Sequence, residues 1–113
     1  MTIKTITPML SVSPQILPNQ VASLAKSGFK SIICNLPDGE CGPGQPCFDQ
    51  IAAAAKAAGM QSAYLPIVPR QAGPAEAAAF RDLMARLPTP IIAFCRSGNR
   101  SSSLYAMSQS VRA

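Results

Sequence analysis

The stretch Pro90-Ile91-Ile92-Ala93-Phe94-Cys95-Arg96-Ser97-Gly98-Asn99-Arg100-Ser101 sets the fold class of this chain. Its first five residues form an uninterrupted apolar run that begins at a proline, which predicts a buried β-strand over residues 90–94. A short turn with a glycine follows, and the next residues predict a helix at about 101–111. Strand, turn and helix in this order are typical of an α/β domain.

The rest of the chain repeats this alternation. We predict strands over 3–6, 9–12, 30–35 and within 61–68, and helices over 19–27, 48–58 and 75–87. These elements predict a single α/β domain over residues 1–113, with a short, mainly parallel sheet flanked by about four helices. Parallel units place their strand-to-helix loops along one edge of the sheet, where ligands usually bind. We therefore expect the loops 36–47, 69–73 and 95–101 to converge there.

Composition limits the classes of protein. The 113 residues are 48% hydrophobic and 13% charged, which favours one compact fold. No apolar run approaches the roughly 20 residues of a membrane span, and the first residues do not look like a signal peptide, so we expect a soluble, cytoplasmic protein. The net charge of +5 favours small anionic ligands. We expect no nucleic-acid partner, because the basic residues are scattered and aromatic residues are few.

The chain has four cysteines and no histidine. Without histidine there can be no Cys–His dyad and no mixed Cys–His zinc site, so we expect neither a metal nor another cofactor. A cysteine at a strand end is often an inert core residue. At Cys95, however, the following residues carry two arginines around a glycine, a combination that a purely structural turn does not need.

The segment 95–101, called the Cys95 loop below, predicts an anion site built around a nucleophile. Backbone N–H groups of such a turn, at the start of a helix, bind oxyanions. We expect Arg100 to clamp the anion and Ser101 to donate to the sulfur while capping the helix. A helix N-terminus and guanidinium groups lower the pKa of a thiol, which predicts a Cys95 thiolate. The predicted substrate-binding residues are Arg96, Ser97, Gly98, Asn99 and Ser101.

These residues resemble the active loop of cysteine phosphatases and rhodanese sulfurtransferases. The wider pattern is similar to the beta-lactamase-hydrolase-like, phosphatase-like domain family, also described as sulfur transferases. The segments that match this family are residues 11–15, Ile32-Ile33-Cys34-Asn35-Leu36-Pro37-Asp38-Gly39-Glu40, and the Cys95 loop with Leu104-Tyr105-Ala106. The resemblance implies a protein-tyrosine-phosphatase-like three-layer sandwich, with Cys95 as nucleophile and Arg100 as clamp. It also implies a persulfide-oxidising metallo-hydrolase as a candidate partner, fused or separate, so the chain could be part of a longer protein.

Two features of the sequence favour sulfur transfer over phosphate hydrolysis. Four residues separate Cys95 from Arg100, as in rhodaneses, whereas phosphatases have five. The loop 69–73 holds no acid to protonate a leaving oxygen, although Asp38 and Glu40 are candidate donors from the neighbouring loop. We therefore expect a sulfurtransferase that moves sulfane sulfur from thiosulfate or a persulfide to a thiol through a Cys95 persulfide. The alternative is a phosphatase that cleaves phosphate esters through a Cys95 phosphoenzyme.

Other residues allow further interpretations. Cys41 and Cys47 could form a disulfide, remain free, bind a metal weakly, or resolve an oxidised or persulfidated Cys95, whereas Cys34 is predicted to be a core residue. Arg70, like Arg96, either enlarges the positive rim of the site or is a solvated surface charge. A carrier module without turnover, and an arsenate reductase using Cys41 or Cys47, are the remaining alternatives.

Overall fold

The computed structural model describes residues 2–109, which build one five-stranded sheet covered by helices on both faces. The strands are β1 (Lys4–Thr7), β2 (Leu10–Ser13), β3 (Ser31–Cys34), β4 (Gln61–Tyr64) and β5 (Ile91–Phe94). The helices are α1 (Val21–Lys26), α2 (Phe48–Ala57), α3 (Pro74–Arg86) and α4 (Asn99–Ser108), with a 3₁₀ turn at Pro18–Gln20 before α1.

The strand order is β1-β2-β5-β3-β4, so β5 lies at the centre of the sheet. Its neighbours β2 and β3 run parallel to it, and their last residues, Ser13 and Cys34, both pair with Phe94. Because these three strands end in register, the segments that follow them emerge together at one edge of the sheet. We call this edge the carboxyl edge, and the Cys95 loop begins there, directly after β5.

Side chains alternate between two cores because successive residues of a strand point to opposite faces. Ile32, Ile92 and Phe94 pack on one face, with residues of α1 and α2. Ile33, Ile91 and Ala93 pack on the other, with residues of α3 and α4. The arrangement confirms the predicted three-layer α/β sandwich with a mainly parallel sheet.

The strands lie close to their predicted positions, whereas two helices have different boundaries. β1 is antiparallel to β2, which brings Lys4, its first residue, opposite Val12. β4 lies within the predicted range 61–68 and ends at Tyr64, because Pro66 has no N–H for the ladder. The residues predicted to start the first helix form the 3₁₀ turn. Residues 110 and 111, predicted as the end of the last helix, lie outside the described residues.

Among residues 2–109, no helix combines the length and the apolar character that crossing a bilayer requires.

Candidate active site

Cys95 directly follows β5, and its sulfur is held within the Cys95 loop. The backbone N–H of Gly98 donates to Sγ of Cys95 over 3.0 Å. This donor favours a negatively charged sulfur, since hydrogen bonds to an ionised acceptor are the strong ones. Cys95 is fully buried, so a substrate reaches its sulfur only when the surrounding loops move.

Gly98 makes this hydrogen bond possible through its backbone conformation. Its φ is 93°, in the left-handed region that favours glycine, and it caps the N-terminus of α4. Helical backbone therefore begins at Asn99, two residues earlier than predicted. A Cβ at position 98 would also lie 3.4 Å from the carbonyl carbon and oxygen of Ser13. The end of β2 thus packs closely against the Cys95 loop. The N–H of Gln15 also donates to the carbonyl of Arg96 at 3.4 Å.

Backbone donors remain available around the sulfur. Four N–H groups of the Cys95 loop donate to no described residue; they belong to Arg96, Ser97, Arg100 and Ser101. The first N–H groups of a helix have no partner within the helix, and together with its dipole they favour a bound anion. The loop therefore has the donors that the sequence predicted for an anion site.

Arg100, in the first turn of α4, is fixed by two neighbouring loops. Its Nη1 donates to Oε1 of Glu40 at 2.7 Å and to the carbonyl of Ile67 at 2.7 Å, and its Nη2 donates to Oε2 of Glu40. Both charged side chains are mostly shielded from solvent, at 16% and 17% exposure. The hydrogen bonds to Glu40 raise the pKa of Arg100, although partial burial opposes this. Arg100 is consequently a permanent, oriented cation.

The contacts of Arg100 leave one edge of its guanidinium open. A guanidinium has five N–H donors, and three of them serve Glu40 and Ile67. Nε–H and the second Nη2–H remain, and they lie side by side on the same edge. This pair is the fork that binds two oxygens of a carboxylate or phosphate. Arg100 can therefore hold an anion without releasing Glu40.

Ser101 does not have the roles that we predicted for it. Its Oγ donates to Oδ1 of Asn35 at 2.8 Å, and a hydroxyl has only one proton to donate, so it does not donate to Cys95. The helix is capped by Gly98 instead. The Ser101 hydroxyl thus ties α4 to the end of β3 as a positioning group, whereas its backbone N–H is still one of the open donors of the loop.

Asn35, which we did not select as a site residue, connects four elements at the carboxyl edge. Its N–H donates to the carbonyl of Phe94 at 2.8 Å, and its Nδ2 donates to that of Leu65 at 2.9 Å. Its own carbonyl accepts from the N–H of Ile67 at 3.0 Å. A polar residue directly after the apolar run Ile32-Ile33-Cys34 is the signal that could have identified it.

The two candidate proton donors occupy different positions. Both carboxylate oxygens of Glu40 accept hydrogen bonds from Arg100, which leaves this side chain poorly placed to give a proton to a leaving group. Asp38 is exposed; its Oδ1 accepts from the N–H of Phe48 at 2.8 Å, and its N–H donates to the hydroxyl of Tyr64. Oδ2 of Asp38 makes no hydrogen bond with the described residues, which leaves Asp38 as the candidate donor.

The cysteines outside the Cys95 loop are reduced in this structure. Cys41 is exposed and Cys47 half-buried at the start of α2, and neither is in a disulfide. Cys41 is near enough to Arg100 for a charge on its sulfur to raise the pKa of that arginine. Cys34 is buried in the core as predicted, and burial raises the pKa of its thiol to about 12.

The remaining basic residues of the prediction lie at the surface. Arg70 and Arg96 are exposed, and their side chains form no ion pair or hydrogen bond with residues 2–109.

Beside the Cys95 loop there is also a cleft of about 190 Å³, whose lining includes Lys4, Ser13, Ser97, Gly98 and Asn99. Within the described part of the chain, no three Cys, Asp or Glu side chains are grouped as metal ligands.

Comparison with known proteins agrees with this geometry. The model of the family "Beta-lactamase hydrolase-like protein, phosphatase-like domain" matches residues 2–112. A beta-lactamase hydrolase-like protein of Agrobacterium fabrum is 37% identical over 102 residues, which are 90% of this chain and 23% of that protein. The chain thus spans about a quarter of the length of the curated relatives that it matches.

Solved structures give the same assignment of fold. A candidate phosphatase from Neisseria meningitidis Z2491 is 34% identical, with a TM-score of 0.86 over 93% of this chain and 74% of that one. The TpbA protein of P. aeruginosa in complex with phosphotyrosine is 18% identical, with a TM-score of 0.69 over 92% of this chain and 59% of that one. These matches confirm the predicted phosphatase-like fold. They also favour the phosphatase alternative over our leading prediction, sulfur transfer, which they do not support.

Proposed function

The chain belongs to the family of beta-lactamase hydrolase-like, phosphatase-like domains, and on that premise we propose that it hydrolyses small phosphate monoesters through a covalent intermediate on Cys95. The observation that carries this proposal is the Gly98 N–H directed at the sulfur of Cys95, in a loop whose Arg100 is close enough for a charge on that sulfur to raise the pKa of the arginine. Relatives that are phosphatases by name add to it.

Binding in this mechanism uses the donors of the Cys95 loop. Phosphate oxygens accept from the unpaired N–H groups of Arg96, Ser97, Arg100 and Ser101, and from Nε and Nη2 of Arg100. Glu40 accepts from Nη1 and Nη2 of Arg100 without using that edge, so it orients the fork. Because Cys95 is buried, binding requires the loop 36–47 or the Cys95 loop to shift outward.

The chemical steps transfer the phosphoryl group twice. The Cys95 thiolate attacks phosphorus, an S–P bond forms, and the P–O bond to the leaving group breaks. The departing oxygen takes a proton from Asp38. Water then attacks the phosphocysteine and loses a proton to the Asp38 carboxylate, and breakage of the S–P bond releases phosphate and restores the thiolate. General acid catalysis of this kind is worth about 10²–10⁴-fold in rate.

Hydrolysis of 4-nitrophenyl phosphate by the purified chain tests the proposal. We expect turnover that disappears in Cys95→Ser, with a phosphoenzyme that is trapped by rapid acid quench. Asp38→Asn should slow the reaction at least tenfold, because an amide keeps the hydrogen bond to Phe48 N–H but has no proton of the required acidity. Asp49→Asn, an exposed acid in the first turn of α2, is the matched control. Absence of any turnover and of any phosphoenzyme would reject the phosphatase.

Sulfur transfer is the second candidate, and the length of the loop favours it. Four residues separate Cys95 from Arg100, and of the two candidate acids Glu40 is held by Arg100. Sulfur transfer needs no proton donor: the thiolate attacks the outer sulfur of thiosulfate, the S–S bond breaks, sulfite leaves, and a thiol accepts the sulfur from the persulfide. Incubation with thiosulfate and intact-mass analysis should then show one added sulfur atom, absent from Cys95→Ser. An unmodified mass would exclude this alternative.

A further inference from the structure

A cleft beside the Cys95 loop contains a cation that the proposed reaction does not use. Lys4, Thr2 and Ser13 line it on one side, and Ser97, Gly98 and Asn99 on the other. We propose that this cleft binds a second anionic group of the substrate, with Lys4 as its cation. The proposed function supplies the first group, the phosphate bound in the Cys95 loop.

Sheet topology explains why Lys4 is at this place. β1 runs antiparallel to β2, so its first residue lies at the edge where the parallel strands end, and Lys4 pairs with Val12. Val12 in turn pairs with Ala93 of β5, two residues before Cys95. Strands in a sheet are about 4.8 Å apart, which places the Lys4 backbone about 10 Å from β5. Two linked anionic groups of one small molecule can span such a distance.

The chemistry of the cleft fits an oxyanion. No Asp or Glu lines it, and apart from Lys4, Val12, Pro14 and Gly98 its residues carry hydroxyl or amide groups. The ammonium of Lys4 forms no ion pair or hydrogen bond with the residues that the structure describes. With a volume of about 190 Å³, the cleft is several times larger than the roughly 30 Å³ that one water molecule occupies in the liquid.

The shared wall links this cleft to the nucleophile. Ser97, Gly98 and Asn99 line the cleft, and the N–H of Gly98 is the donor to the sulfur of Cys95. A substrate with one anionic group in the Cys95 loop and another in the cleft would contact these three residues from both sides. The expected substrates are therefore small phosphate esters that carry a second phosphate or carboxylate.

Binding to the unreactive Cys95→Ser protein tests the inference without requiring hydrolysis. Calorimetric titration compares butyl phosphate with butane-1,4-diol bisphosphate. We expect the bisphosphate to bind about fivefold or more tightly than butyl phosphate, as one partly exposed ion pair provides. Because the bisphosphate presents two equivalent phosphates to the Cys95 loop, this ratio should fall to about two, the statistical value, in Lys4→Ala and recover in Lys4→Arg. Lys30→Ala is the matched control, because Lys30 is also exposed but lies just before β3, at the opposite edge of the sheet.

Each outcome bears on the inference separately from the proposed function. A ratio of about two or less in the Cys95→Ser protein, a ratio unaffected by Lys4→Ala, or no binding of either probe would overturn the subsite. If the bisphosphate keeps its Lys4-dependent advantage while the unmodified protein fails to hydrolyse phosphate esters, the subsite stands and the phosphatase proposal fails.

Discussion

Glu40 contacts the guanidinium of Arg100 with both carboxylate oxygens, although 60 residues separate the two in sequence. The pair joins the loop after β3 to the first turn of α4, and Ile67 adds a carbonyl from the loop after β4. Three loops of the carboxyl edge thus meet at one side chain. The orientation of the Arg100 guanidinium therefore depends on contacts from outside the Cys95 loop.

Replacement of Glu40 by glutamine should lower activity, because the amide cannot hold the guanidinium at two points with the same strength. We expect kcat/KM for 4-nitrophenyl phosphate to fall about tenfold, equivalent to about 1.4 kcal/mol. Asp82→Asn breaks the exposed ion pair with Arg86 and should change the rate less than twofold. Tighter binding of inorganic phosphate to Glu40→Gln, with an undiminished rate, would mean that Glu40 competes with substrate instead of orienting Arg100.

Removal of the Ser101 hydroxyl should destabilise the fold. Ser101 and Asn35 are both completely buried, so Ser101→Ala leaves Oδ1 of Asn35 without its donor. An unsatisfied buried acceptor costs about 1–3 kcal/mol, which urea unfolding should detect. Ser103→Ala, on the exposed side of the same helix, should change the free energy of unfolding by less than about 0.5 kcal/mol. Equal stability of both variants would show that Asn35 finds another partner.

Substitution of Gly98 should impair the nucleophile as well as stability. An alanine there is strained by the φ of 93° and meets Ser13 at 3.4 Å, and the left-handed conformation alone costs about 1–2 kcal/mol. We expect Gly98→Ala to slow alkylation of Cys95 by iodoacetate, because the N–H that faces the sulfur is displaced. Gly28→Ala provides the control: its φ is 103° but its surroundings are open, so stability should fall while alkylation stays constant.

The sequence predicted the sheet well because its apolar runs and glycine-terminated helices are local signals. The core strand within residues 90–94 was predicted correctly because the signal lies in consecutive residues, and the open N–H groups of the Cys95 loop follow from consecutive residues as well. The role of Glu40 was missed because it arises from a contact across 60 residues. The hydroxyl of Ser101 was misassigned for the same reason: its partner Asn35 lies directly after β3, far away in the sequence. Lys4 lines the cleft because β1 is antiparallel to β2 and β2 is the neighbour of β5. The short turn between β1 and β2 indicates their direction, but the order of the strands is not a local signal.

The buried thiol of Cys34 should make stability depend on alkaline pH. Burial is the main cause that raises its pKa from 9.0 to about 12. The unfolded chain therefore releases this proton near pH 9, whereas the folded chain keeps it until about pH 12. The stabilisation is fully present below pH 9 and is lost as the pH rises towards 12, by up to about 1.4 kcal/mol per pH unit.

Two measurements check this behaviour of Cys34. Urea unfolding at pH 8 and pH 10 should show a smaller decline for Cys34→Ala than for the unmodified protein, whereas Cys41→Ser, which removes an exposed thiol, should decline as the unmodified protein does. Iodoacetamide at pH 8 should label Cys41 in the folded state and Cys34 only in urea. Rapid labelling of Cys34 without urea would mean that the end of β3 opens readily, and the alkaline dependence would then have to come from other groups.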